Sequence, residues 1–135
     1  MTLQLILTRH AKSDWDNPLE TDHQRKLNPR GIRSSPLIGR WLAEKAYLPQ
    51  QALVSDASRT RETFALLCAG WPELPVRFEP ELYHACPDAM LRALRKATAR
   101  TVLMIGHNPG IASFGKHRWQ NARCYTPCGP CCLSR

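Results

Sequence analysis

Leu3-Gln4-Leu5-Ile6-Leu7-Thr8-Arg9-His10 opens the chain with a short apolar run that stops on two chemically capable side chains. The run lacks clean polar alternation, so it reads as a strand buried on both faces of a parallel sheet. Thr101-Val102-Leu103-Met104-Ile105 repeats the pattern and stops on Gly106-His107-Asn108-Pro109. Ala52–Val54 ends on Ser55-Asp56, and a weaker run, Val76–Phe78, leads into Glu79-Pro80-Glu81-Leu82-Tyr83.

Helical patterns lie between these runs. Residues 29–46 place Ile32, Leu37, Ile38, Trp41, Leu42 and Ala46 at helix-compatible spacing, with Asn28 as cap and Pro29 in the first position. Pro36 is expected to bend the first turns. Arg59–Ala69 turns Thr63, Leu66 and Leu67 toward one side, and Asp88 can cap a helix whose Met90, Leu91 and Leu94 face the core. The order is strand, long loop, helix, strand, helix, strand, helix, strand. That alternation predicts an α/β domain in three layers, a mostly parallel central sheet with helices on both faces. Ligands of open α/β sheets bind at the carboxyl edge of the strands. Arg9-His10, Ser55-Asp56 and Gly106-His107 should therefore collect there.

Length and composition narrow the function classes. A chain of 135 residues suits one compact domain, and a 43% hydrophobic share is ordinary for a globular protein. No run reaches the roughly 20 apolar residues of a spanning helix. The N-terminus has no basic n-region, which argues for a strand rather than a signal peptide and makes the cytoplasm the expected location. The net charge of +8 owes much to residues 114–135, where Lys116, Arg118, Arg123 and Arg135 stand without an acidic residue. Elsewhere 15 basic residues face 11 acidic ones, with no aromatic stripe between them, so neither nucleic acid nor membrane is an expected partner.

Thr8-Arg9-His10-Ala11-Lys12-Ser13-Asp14-Trp15 is more specific than any of these patterns. It resembles the RHG-type opening of the histidine phosphatase superfamily, in the RHAKS form of its SixA-like phosphohistidine phosphatase branch. The resemblance continues through Asp22-His23-Gln24-Arg25-Lys26-Leu27-Asn28-Pro29-Arg30-Gly31 and Gly39-Arg40-Trp41-Leu42. It then takes in Val54-Ser55-Asp56-Ala57-Ser58-Arg59-Thr60-Arg61-Glu62-Thr63 and Gly106-His107-Asn108-Pro109-Gly110. These pieces span residues 1–113 in the family's order. They imply a phosphoglycerate-mutase-like fold, a covalent phosphohistidine intermediate on His10, and no cofactor or metal.

The residue types suit that chemistry on their own terms. A neutral imidazole can attack phosphorus and hold the phosphoryl group, which divides one hard displacement into two easier ones. Arg9 and Arg59 match the family's phosphate-holding arginines, whose planar forks suit oxyanions. His107 matches its second histidine and Arg25 a further basic position. His23, His84 and His117 read as surface or loop residues, and Arg61 and Glu62 as charges on a helix face. The expected substrate is a protein phosphohistidine. The alternatives are a small phosphate ester in the same pocket, or a phosphate- or protein-binding module without turnover.

Two stretches depart from the family. Many members carry a glutamate two residues past the leucine of the third-strand segment, and here Leu82-Tyr83-His84 has none, leaving Glu81 or Asp88 as substitutes. Past residue 113 the resemblance stops, so residues 114–135 are expected to form an atypical Cys-rich tail, frame-shifted or disordered. The domain is then expected to lack its usual last helix and strand. Cys124, Cys128, Cys131 and Cys132 are spaced poorly for a zinc site, because adjacent cysteines rarely serve one ion.

Overall fold

The computed structural model describes residues 4–108, 110–117, 123–126 and 129–131. In chain order the elements are β1 (Gln4–Arg9), α1 (Pro29–Glu44), β2 (Gln51–Ser55), α2 (Ser58–Leu67) and β3 (Val76–Glu79). A 3-10 turn at Pro80–Leu82 leads to α3 (Pro87–Arg95), β4 (Thr101–Gly106), α4 (Gly110–His117), β5 (Arg123–Thr126) and β6 (Gly129–Cys131). The strands join in the order β3-β2-β4-β1-β5-β6, and every pairing is parallel except β5 with β6.

Strand periodicity builds the three layers. Successive side chains of β1 point to opposite faces, so Leu5 and Leu7 join Leu53, Val102 and Met104 on one side. Ile6 joins Ala52, Val54, Leu103 and Ile105 on the other. Helices α3 and α4 cover the first face with Met90, Leu94, Ile111 and Phe114. Helices α1 and α2 cover the second with Leu42, Phe64 and Leu67. No helix among the described residues is long and apolar enough to cross a membrane.

Local sequence explains the helix ends. Asn28 caps α1 by accepting the Gly31 amide at 2.8 Å, with Pro29 at the position where a missing N–H costs nothing. Pro36 is carried inside the helix. Gly31 and Gly39 let α1 lie against its neighbours, since a Cβ would come within 2.4 Å of the Lys12 carbonyl oxygen or 2.0 Å of that of Leu67. At α3 the cap position falls to Cys86, not Asp88; Pro87 occupies the first turn and carries Asp88 inward with it. There the carboxylate still faces the positive end of the helix dipole.

One expectation is corrected. A helix and a strand do follow β4: α4 buries Ile111 and Phe114, three residues apart on one face, and β5 pairs with β1 in the register Ile6↔Arg123, Leu7↔Cys124, Thr8↔Tyr125. The edge of β1 offers a row of main-chain donors and acceptors, and pairing with it asks for an extended backbone rather than an apolar pattern. Side-chain periodicity therefore gave no sign of it. The side chains of residues 116–135 lie outside those described, and with them the question of the four tail cysteines.

Candidate active site

Parallel pairing lines up the carboxyl ends of β1, β2 and β4. Arg9 stands opposite Gly106 and Val54 opposite Ile105, so His10, Ser55 and His107 emerge along one edge. The His10 amide donates to the Gly106 carbonyl at 3.1 Å, fixing the first residue beyond β1 against the end of β4. The next residue is pinned from the α2 side. Ala11 donates its amide to Thr63 Oγ1 at 3.0 Å, and Thr63 donates in turn to the Arg59 carbonyl at 2.7 Å.

This floor is buried and tautomerically defined. His10 Nδ1 lies 2.7 Å from the Ala11 carbonyl, which can only accept, so Nδ1 carries the proton and Nε2 keeps its lone pair. His107 lies with its ring centroid 5.3 Å from that of His10. Arg59 Nη2 donates to His107 Nδ1 at 3.2 Å, which leaves the proton on Nε2 to be donated to Ser55 Oγ at 2.9 Å. Burial pushes the His10 imidazolium pKa down to about 4, helped by Arg59 and Arg9 against the pull of the Ala11 carbonyl. Burial again, then Arg59 and His10, bring His107 to about 3. Both rings are neutral at physiological pH.

Loops form the roof. The segment after β1 is tied to the approach to α1 by Asp14 N–H to the Lys26 carbonyl (2.7 Å) and Asn28 N–H to the Lys12 carbonyl (2.9 Å). Asp22 is the hub. Its Oδ1 accepts from Arg25 Nη1 at 2.6 Å, and its Oδ2 accepts from Arg59 Nη2 at 3.2 Å, His84 Nε2 at 3.0 Å and the Tyr83 hydroxyl. The Tyr83 bond above all, with those from His84 and Arg59, holds the Asp22 carboxyl well below the usual carboxylate range. Arg59 also donates Nη1 to the Asp22 carbonyl. Between floor and roof lies a cavity of about 320 Å³ whose lining includes Arg9, His10, Lys12, Asp22, Arg25, Arg59 and His84.

The structure thus brings Arg9, His10, Arg25 and Arg59 to one cavity and sets His107 against Arg59. Glu81 is not there; it pairs with Lys96 at 3.2 Å. Ser55 lies at the sheet edge where the sequence put it, whereas the roles of Asp22, Tyr83 and Thr63 in the site had no sign in the sequence. His84 is an exposed loop residue as expected, and its loop also brings it into the lining of the cavity. Its signal was its place: two residues past Leu82, where an acid was sought and a histidine stands. Among the described residues no group of three or more His, Cys, Asp or Glu is placed to hold a metal ion.

The family model of the histidine phosphatase superfamily (branch 1) matches residues 5–90, and the chain belongs to that superfamily. It falls in the SixA-like branch. SixA from Agrobacterium tumefaciens superposes with a TM-score of 0.77 at 27% identity, over 86% of this chain and 74% of that one. The protein histidine phosphatase SixA complexed with tungstate gives 0.71 at 25% identity, over 83% and 74%. The shared architecture is the phosphoglycerate-mutase-like α/β fold. An uncharacterized protein of Mycobacterium leprae is 36% identical over 110 residues, and one of Mycobacterium tuberculosis 35% over 108. In both cases the match takes in 78% of this chain and 66% of the relative, so the chain spans about two thirds of their length.

Proposed function

We propose that the protein is a phosphatase that removes phosphoryl groups from protein phosphohistidine through a covalent intermediate on His10, acting in the cytoplasm. The observation that carries this reading is the Nδ1 bond of His10 to the Ala11 carbonyl, in a buried ring kept neutral beside Arg9 and Arg59. A nucleophilic histidine needs one nitrogen anchored and the other bare. Similarity to a protein histidine phosphatase holding tungstate, a tetrahedral oxyanion, supports a pocket for phosphoryl groups.

In this reading Nε2 of His10 attacks phosphorus while Arg9, Arg25 and Arg59 receive the peripheral oxygens. His107 is neutral in the empty site because burial and Arg59 disfavour its charge. An arriving phosphoryl dianion works in the opposite direction, so His107 gains a proton and donates to the same oxygens. Water then cleaves the phosphohistidine and frees His10. Every residue assigned a role falls within residues 1–113, which we take as the catalytic unit.

The test is a rapid quench after adding a phosphohistidine-bearing protein, followed by intact mass and fragmentation. An acid-labile, base-stable phosphoryl group on His10 is the expected result, with His10→Ala forming none. Full turnover in His10→Ala would overturn the reading.

A further inference from the structure

The mechanism above leaves one step without an agent. The atom that departs from phosphorus needs a proton unless it is already a stable anion, and neither Glu81 nor Asp88 lines the cavity that holds His10. His84 does line it, and it also lines a second cavity of about 350 Å³ formed with Cys86, His107, Asn108, Gly110 and Ser113. One histidine therefore stands between the space beside the nucleophile and a space able to take the rest of a substrate.

His84 is also held in an unusual way. Its φ is 50°, in the left-handed region that residues other than glycine uncommonly adopt, although Asn, Asp and His do so more often than most. Such conformations gather at functional sites. The ring lies tilted at 51° against that of Tyr83, centroids 4.1 Å apart, and Nε2 lies 3.0 Å from Asp22 Oδ2. A carboxylate on one nitrogen fixes the orientation of the ring and which nitrogen trades its proton, as in the histidine–aspartate pairs of serine hydrolases.

We propose that His84 is the proton donor to the leaving group, with Asp22 as the residue that positions it. The inference rests on the phosphatase reading above. As the bond from phosphorus to the leaving oxygen or nitrogen breaks, the bond from His10 Nε2 to phosphorus forms, and the leaving atom takes the proton from His84 Nδ1. His84, now neutral, accepts a proton from the water that attacks the phosphoenzyme. Inorganic phosphate departs, the lone pair returns to His10 Nε2, and His84 is again an imidazolium. The charged and titratable groups facing it are Asp22, Tyr83 and His107, with Arg25 and Arg59 behind Asp22 and Cys86 in the second cavity.

Asparagine and glycine both tolerate the left-handed backbone, so His84→Asn and His84→Gly keep the fold. Two probes separate catalysis from structure: p-nitrophenyl phosphate, whose phenolate leaves unaided, and phenyl phosphate, whose leaving group needs a proton. The loss of kcat/KM on phenyl phosphate should exceed that on p-nitrophenyl phosphate by at least ~10-fold, within the range of general acid catalysis. The alkaline limb of the phenyl phosphate pH profile should vanish, Asp22→Asn should likewise lose more kcat/KM on phenyl phosphate than on p-nitrophenyl phosphate, and added imidazole should restore His84→Gly. Equal losses on both probes, or none on either, would overturn the proposal. If the wild-type chain forms no phosphohistidine on His10 with either probe, the phosphatase reading itself has failed. If it does, and at the same rate in His84→Asn with phenyl phosphate, only this inference falls.

Discussion

The floor and the roof of the cavity are built on different physical terms. The floor consists of His10, Ser55 and His107 at the ends of three hydrogen-bonded strands, all buried. The roof consists of Asp22, Arg25 and His84 on loops, more exposed and joined by charge. Packing fixes the floor before any ligand arrives, whereas the roof keeps its shape only while Asp22 stays ionised and paired. The comparison teaches where chemistry and where adjustment reside: a nucleophile must be placed to within a fraction of an ångström, whereas groups that receive and release a substrate can give way.

Arg59 belongs to both, since it is rooted in the first turn of α2 and reaches His107 on one side and Asp22 on the other. It is the position where the largest effect is expected. Arg59→Ala should lower kcat/KM by at least ~10²-fold, the scale of losing one key electrostatic donor. Arg59→Lys should recover little, because one ammonium cannot replace a planar fork engaged at two ends. Near wild-type turnover in Arg59→Lys would show that floor and roof are coupled only by charge.

The next effect is on stability and has a defined sign. The Asp22 pKa is depressed in the folded chain, so its contribution is present above about pH 4, its ordinary range, and is lost as pH falls toward the lower folded value. Its side chain is 38% exposed, so solvent screening limits the contribution to about 1 kcal/mol. His10 and His107 are depressed as well, to about 4 and about 3. Their unfolded forms take up protons first, so stability falls as pH drops from about 6.5 toward those values. Urea melts at pH 7, 5 and 3.5 should show both trends. Asp22→Asn should cost about 1 kcal/mol at pH 7 and the same at pH 5, and its gap from wild type should only begin to narrow at pH 3.5, just inside the window between the ordinary and the depressed value. A gap that stays constant with pH would mean that the roof is held by packing.

The same division sorts what could be read from the sequence. Floor residues were legible because strands with apolar runs announce where they end, and a parallel sheet puts those ends on one edge. Arg9, His10 and His107 follow from that logic and from the resemblance their neighbourhoods carry, and Arg59, inside α2, follows from the resemblance alone. Asp22 and His84 were not legible, because 62 residues separate them and no periodicity joins a loop carboxylate to a loop imidazole. Nor could a left-handed backbone be foreseen at a histidine. The pairing of β5 with β1 was hidden for another reason, since main-chain hydrogen bonds leave no trace in side-chain pattern.

The smallest effect is expected at the outermost part of the roof. Trp15 is 70% exposed, and the Arg25 guanidinium lies over its ring at 3.4 Å from the centroid. An aromatic face holds an exposed arginine with roughly 0.5–1 kcal/mol, which corresponds to a two- to five-fold change in an equilibrium constant. Arg25 is also held by Asp22, so losing the ring loosens the guanidinium without releasing it. Trp15→Ala should therefore raise KM for a phosphohistidine protein about two- to five-fold and leave kcat close to wild type, because the floor is untouched. Trp15→Phe, which keeps a weaker aromatic face, should fall between the two. A loss in kcat instead would mean that the roof shapes the reacting geometry, and the division between the two regions would have to be redrawn with Arg25 on the side of the floor.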